Sequence, residues 1–206
     1  MIRTLRLMAG FVSLIACLGA IACQLRRPNT TPNRMIEPQL PELQASGSNQ
    51  QVTKAASAIP IRLLDTQARG HIGRKLLHQQ PNGELTEDAV WRWSSAPERY
   101  LDTALRLEGA SSPDVQLVDT GSASTLAATL LAWDLDSAGG THLAGAVEFQ
   151  ITGTDRAVHT QVVKSSEPVS GELPGDLAAA SGRLLRRLAS EGLKLAANPP
   201  PTTSQR

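Results

Sequence analysis

The stretch that decides the fold is residues 124–166, STLAATLLAWDLDSAGGTHLAGAVEFQITGTDRAVHTQVVKSS. Three extended segments lie in it, separated by turn-forming residues at 137–140 and 153–155: 124–136, 142–153 and 157–166. In the second segment Val147, Phe149 and Ile151 alternate with polar residues, which is typical of a strand with one buried face. The stretch therefore predicts an antiparallel meander.

Two helices flank this meander in the sequence. The first is predicted to begin in SSAPERYL, where Ser95 or Ala96 is the N-cap and Pro97 opens the first turn, and to end at Gly109. The second is predicted over residues 176–197, with leucines on one stripe and the basic residues Arg183, Arg186, Arg187 and Lys194 on the other. Both patterns are amphipathic, so each helix is expected to cover a sheet.

Shorter strands are predicted upstream, at residues 59–66, 72–79, 90–93 and 115–118. The order of strands, helix, strands and helix predicts an α+β fold in which an antiparallel or mixed sheet is packed by two main helices on one face. We expect a single compact domain at residues 59–197, after a signal peptide at 1–22 and a disordered Pro/Ser-rich tether at 23–58. Residues 198–206 are expected to be a disordered tail.

Composition limits the function. The chain has 206 residues, a formal net charge of +1, and aromatic residues at only 3%. This balance gives no global positive field and few stacking platforms, so no nucleic-acid partner is expected. Both cysteines, Cys17 and Cys23, lie in the first 23 residues, which excludes an internal disulfide or a cysteine metal cage in the predicted domain.

The N-terminus predicts a bacterial lipoprotein signal. Arg3 and Arg6 precede an apolar run that ends at Cys23, the arrangement of a secretory signal peptide. Small residues directly before the cysteine resemble a lipobox, so Cys23 is expected to be acylated. Cys17 is the alternative, because Leu14 lies three residues before it, and an uncleaved anchor is the third option. Two or three acyl chains would anchor the chain stably to a membrane.

No catalytic constellation is visible in the sequence. The four histidines have no metal-ligand spacing, and Ser122 lies in no nucleophile elbow. Asp134 and Asp136 are spaced to share one face of a strand, but solvation of a hairpin end explains them better than acid–base chemistry. We therefore expect no enzyme, no catalytic or metal-binding residue, and no cofactor.

Residues 59–195 resemble the ABC-type transport auxiliary lipoproteins, which are similar to the paraquat-inducible C component and accompany mammalian-cell-entry (MCE) lipid transporters. The resemblance is carried by IRLL at 61–64, HIGRKLL at 71–77, NGEL at 82–85 and the block RWSSAPERYLDTALR at 92–106. It implies a lipid-anchored subunit on the periplasmic face of the outer membrane of a Gram-negative envelope. The resemblance also implies that this subunit docks the transporter to the outer membrane for intermembrane lipid transport and envelope integrity.

The partners that this resemblance implies are an MCE-domain periplasmic protein and its ABC permease and ATPase, and a homo-oligomer is left open. Trp91 and Trp93 alternate along a strand and so point the same way, which makes them candidate partner contacts, although core packing is the commoner role of such a pair. The alternative function is a free-standing periplasmic lipid-binding or assembly-factor lipoprotein, which needs an apolar cavity between sheet and helices.

Overall fold

The computed structural model describes residues 32–40, 54–55, 57–136, 141–171 and 174–199. Within these ranges the chain forms nine strands and two helices. The strands are β1 (Arg34–Ile36), β2 (Ile59–Leu63), β3 (Gln67–Ala68), β4 (Lys75–Gln79), β5 (Leu85–Trp93), β6 (Val115–Leu117), β7 (Ser124–Asp136), β8 (His142–Thr152) and β9 (Val158–Pro168). The helices are α1 (Pro97–Ser111) and α2 (Gly175–Ala197).

The thirteen-residue strand β7 organises the sheet. One of its edges pairs antiparallel with β8 along nearly its whole length, and β8 pairs antiparallel with β9. The other edge pairs parallel with three short strands in turn, β2, then β3, then β4. Strands β5 and β1 extend the sheet beyond β4, and β6 extends it beyond β2. The predicted meander and the predicted α+β class with a mixed sheet and two helices are confirmed.

A β-bulge in β7 decides which side chains reach the core. The register against β8 shifts between Leu130 and Ala132, so Leu131 is the extra residue. Before the bulge Leu126, Ala128 and Leu130 are buried, and after it the buried apolar positions move to Trp133 and Leu135. A regular strand would have turned this second pair away from the helices.

Both helices share one hydrophobic core with the inner face of the sheet. Helix α2 lies across β8 and β9 and also contacts α1. The fully buried side chains of this core include Trp93, Leu101, Trp133, Phe149, Leu184 and Leu188. Close approach of α2 depends on glycine, because a Cβ on Gly192 would lie 2.5 Å from the Phe149 ring. The glycines of the predicted terminal helix thus permit tight packing.

The predicted tether at 23–58 is wrong around β1. Arg34–Ile36 pairs parallel with Trp91–Trp93 of β5, and Ile36 is only 1% exposed. The Gln39 amide donates to the Ala178 carbonyl of α2 at 2.9 Å, and Ser94 donates to the Ile36 carbonyl at 2.9 Å. The sequence did not reveal this strand because it contributes one buried side chain and pairs with residues about 57 positions away.

The other end of the predicted tether is also part of the fold. Lys54 donates from Nζ to the carbonyl oxygens of Gly109, Ala110 and Ser112, at 2.7 to 3.0 Å. A cation at these carbonyls suits the negative end of the α1 dipole. Strand β5 begins at Leu85 and not at residue 90 as predicted. All of its residues from Leu85 to Trp91 are half-buried or exposed, so they give no continuous apolar signal in the sequence.

Gly182 in α2 is expected to be essential for holding the β1 segment. A Cβ at this position would lie 2.0 Å from the Gln39 carbonyl oxygen, whereas a Cβ at Gly175 of the same helix meets nothing within 4 Å. We predict that Gly182→Ala lowers the free energy of unfolding by about 1–3 kcal/mol, measured by urea denaturation. Trypsin is expected to cleave this variant faster at Arg34.

Gly175→Ala is the matched control, and it is expected to leave stability unchanged or slightly raised. Equal losses of stability in the two variants would contradict the role assigned to the approach of Gln39.

Candidate functional site

The two candidate partner contacts, Trp91 and Trp93, have different environments. Trp93 is 0% exposed, and its ring centroid lies 5.8 Å from that of Trp133 at an interplanar angle of 57°. It is therefore a core residue, and its assignment as a partner contact is wrong. Trp91 is half-buried at the margin of the core. The two side chains point to the same face of the sheet, but only Trp93 is completely covered by α1 and α2.

The edge of the sheet beside Trp91 carries three arginines, Arg34, Arg74 and Arg92. Together with Met35 and Trp91 they form what we call the basic edge. The Arg34 guanidinium carbon lies 5.6 Å from the centre of the Trp91 ring, a cation–π arrangement. Arg74 donates from Nε to the Trp93 carbonyl at 3.2 Å, and its Nη2 lies 3.8 Å from the Met35 sulfur. Met35 is 52% exposed, so this edge presents an apolar side chain among arginines.

The arginines of the basic edge have no carboxylate partner among the described residues. Arg92 donates from Nη1 to the carbonyls of Trp91 and Asp88, and the seven ion pairs of the described chain do not include Arg34, Arg74 or Arg92. The positive charge of a guanidinium that contacts only neutral groups is not compensated by a carboxylate, so it is available to an anionic ligand.

Acidic residues near the basic edge are engaged elsewhere. Glu87 pairs with Lys75 at 2.5 Å, and Asp88 pairs with His78 at 2.9 Å. The second Asp88 oxygen accepts the amides of Val90 and Trp91 at 2.8 and 2.7 Å. Burial acts to raise the pKa of Asp88, but the Trp91 and Val90 amides and His78 outweigh it and lower that pKa.

Tyr100 joins the β1 segment to α1. Its hydroxyl accepts the Ser95 amide at 2.6 Å, lies 2.5 Å from Ser94 Oγ, and donates to Glu37 at 3.1 Å. The N-cap residue, Ala96, has no side chain that caps the helix, so this hydroxyl binds an amide that precedes the first turn. Burial is the main cause of the raised pKa of Tyr100.

Asp134 and Asp136 share one face as predicted, but Asp134 does not lie in solvent. It is only 6% exposed and lines a groove of about 690 Å³ on the sheet face away from the helices, together with His71, Asp136 and Lys164. Burial, and next the charge of Asp136, raise the pKa of Asp134, while His71 opposes them. The expectation that the pair solvates a hairpin end is therefore wrong for Asp134.

The basic residues of α2 form ion pairs within the domain. Arg183 and Arg187 lie 3.1 and 2.6 Å from the carboxylate oxygens of Glu167, whose side chain on β9 is almost fully buried. No group of three or more histidine, cysteine or acidic side chains in the described ranges could hold a metal ion. The helices of the described ranges are also too short or too polar to cross a membrane. Cys17 and Cys23 lie outside the described residues.

The basic edge is the part of the candidate site that sequence reasoning missed. Arg34 and Met35 fall within the predicted tether, and Arg74 and Arg92 are 18 residues apart in the chain, so only strand pairing brings them together. One signal was available, because residues 24–36 contain Arg26, Arg27 and Arg34 and no acidic residue.

Comparison with solved structures shows the fold. A crystal structure of a Xanthomonas campestris protein of the family DUF330 has a TM-score of 0.61 and 15% identity, covering 80% of this chain and 94% of that one. A crystal structure of an uncharacterized protein has a TM-score of 0.51 and 11% identity, covering 67% and 90%. No protein-family model matches the sequence, and no curated protein matches it either. At these identities the likeness establishes the α+β domain and not its function.

Replacement of Trp93 is expected to lower the free energy of unfolding more than replacement of Trp91. Trp93→Ala is expected to lower the free energy of unfolding by about 3–5 kcal/mol, because it leaves a cavity beside Trp133. Trp91→Ala removes a half-buried ring and is expected to cost less than half as much. Thermal or urea unfolding followed by circular dichroism measures both, and similar losses would contradict the assignment of Trp93 alone to the core.

Asp134 should make stability depend on pH. Its pKa in the folded state lies above the ordinary value of 3.8, so folding favours the protonated form. The corresponding stabilisation is complete below pH 3.8 and is lost as pH rises through the folded-state pKa. Asp134→Asn is therefore expected to be more stable than wild type at neutral pH. Its urea denaturation midpoint is expected to vary less with pH than that of wild type.

Asp136→Asn is the control for this experiment. It removes the neighbouring charge that raises the pKa of Asp134, so its stability profile should lie between those of wild type and Asp134→Asn. Parallel profiles for wild type and Asp134→Asn would show that Asp134 carries no raised pKa.

Proposed function

We propose that the chain is a non-catalytic, lipid-anchored periplasmic lipoprotein that serves as a subunit of an MCE-type ABC transport system. It docks the transporter to the outer membrane for intermembrane lipid transport and envelope integrity. The observation that carries the proposal is a lipobox-like N-terminus joined to an α+β domain whose elements follow the order that the resemblance implies. The fold shared with the DUF330 protein supports the domain part of this proposal.

The anchor is argued from the sequence. An apolar run behind Arg3 and Arg6 ends in Ala20-Ile21-Ala22-Cys23, and the polar residue Gln24 follows. Acylation of Cys23 by two or three chains would hold the protein at the membrane surface. Gln24 is not the aspartate that retains enterobacterial lipoproteins at the inner membrane, which favours the outer membrane.

A scaffold role is supported by polar side chains that make stabilising contacts within the fold. His78 and Asp88 are bound to each other, and Asp88 also holds two backbone amides of β5. Glu167 holds α2 to β9 through Arg183 and Arg187. These groups stabilise the fold.

A free-standing lipid carrier is less well supported. Such a protein needs an apolar cavity between sheet and helices, and that space is occupied by Trp93, Trp133 and the leucines of α2. The large groove lies on the other sheet face and contains Asp134, whose buried carboxylate is unfavourable beside an acyl chain.

Purification of the full-length lipoprotein from membranes in mild detergent tests the proposal. An MCE-domain protein with its permease and ATPase is expected to co-purify, and mass spectrometry of the N-terminal peptide is expected to show acylated Cys23. Cys23→Ala should abolish acylation, whereas Cys17→Ala should leave the mature N-terminus unchanged.

If the acylated protein is recovered alone, or with bound lipid and no transporter component, the docking function fails and the free-standing carrier replaces it.

A further inference from the structure

The position of β1 limits how far the domain can stand from its anchor. Only residues 24–33 separate Cys23 from Arg34, the first residue of β1. Whatever path they take, they span at most about 40 Å, whereas a tether that continued to residue 58 would span roughly 115 Å. A domain of this size is itself about 40 Å across. The sheet edge that carries β1 is therefore where the chain from Cys23 enters the domain, within about 40 Å of that cysteine.

The chain that leads from the anchor to this edge is basic. Arg26, Arg27 and Arg34 lie between Cys23 and Ile36, and the first acidic residue is Glu37, which accepts a hydrogen bond from Tyr100. The fold adds Arg74 and Arg92 at the same edge, and neither forms an ion pair with a carboxylate of residues 32–40, 54–55, 57–136, 141–171 or 174–199. The result is a concentration of positive charge in a chain whose net charge is only +1.

The side chains among these arginines suit a lipid headgroup layer. Trp91 is half-buried under the Arg34 guanidinium, and Met35 is an exposed apolar side chain. Tryptophan is favoured at the boundary between headgroups and acyl chains, and guanidinium groups bind phosphate through paired N–H donors. Basic residues close to an acylated position bind anionic leaflets.

We propose that the basic edge binds the anionic phospholipid surface of the same leaflet that holds the acylated cysteine, so that the domain lies with β1 against the membrane and β9 away from it. This rests on the lipid anchor of the proposed function. Strand β9 is at the opposite edge of the sheet, because β8, β7, β4 and β5 lie between it and β1. The orientation leaves the far edge for other subunits.

A single dye on each edge tests this orientation. No cysteine follows Cys23, so Met35→Cys and Val162→Cys each provide one free thiol in the acylated full-length protein. The two positions are similarly exposed, at 52% and 43%, and lie on β1 and β9. Each labelled protein is reconstituted into phosphatidylcholine vesicles, with or without phosphatidylglycerol, that contain a headgroup-linked nitroxide quencher.

The dye at Met35→Cys is expected to be quenched strongly in vesicles with phosphatidylglycerol and less in phosphatidylcholine alone, while the dye at Val162→Cys stays unquenched. Adding Arg74→Gln and Arg92→Gln is expected to shift the ratio of membrane-bound to detached edges by roughly tenfold or more. The matched control is Arg106→Gln with Lys194→Gln, which removes the same charge from residues that are ion-paired elsewhere and should have little effect.

Three results would overturn the orientation: equal quenching at both positions, an unquenched dye at Met35→Cys in an acylated protein, or an equal effect of the control pair. Loss of the MCE-domain protein in the Arg74 and Arg92 variants, with quenching unchanged, would assign the edge to a protein partner instead. An unacylated Cys23 in mass spectrometry would remove the anchor itself. That result is separate from an anchored protein whose basic edge does not touch lipid.

Discussion

Backbone hydrogen bonding along both edges of β7 is the constraint on which the rest of the domain depends. The backbone N–H and C=O groups on one edge pair with β8, and those on the other edge pair in turn with β2, β3 and β4. Because the amide and carbonyl groups of a buried strand need partners, these short strands are held in place although each alone is too short to be stable. The bulge at Leu131 then sets Trp133 and Leu135 toward the helices, where Trp133 meets Trp93.

Close packing of α2 on this sheet links the core to the N-terminal segment. Gly192 admits the Phe149 ring, and Gly182 admits the Gln39 backbone, which donates to Ala178. The same segment pairs β1 with β5 and places Arg34 over Trp91. A change at Gly182 of α2 is therefore expected to disturb the basic edge, because the segment that packs on Gly182 continues directly from β1.

Buried charge is handled in two ways in this domain. Glu167 is compensated by two arginines of α2, and removal of both partners would leave its buried carboxylate without a compensating charge, which is unfavourable. Asp134 has no such partner among the described residues, and burial, followed by the like charge of Asp136, raises its pKa in the folded state. The first arrangement joins a strand to a helix, whereas the second makes stability sensitive to pH.

The sequence by itself determined the elements whose signal is local. The strand alternation at Val147, Phe149 and Ile151, the Pro97 helix start and the leucine stripe of α2 depend on neighbours within one element, so the mixed α+β class could be predicted. The separate fates of Trp91 and Trp93, the burial of Asp134 and the pairing of β1 were decided by tertiary structure. Each depends on which distant segment covers a residue, and strand periodicity states only that residues share a face, not whether that face is buried.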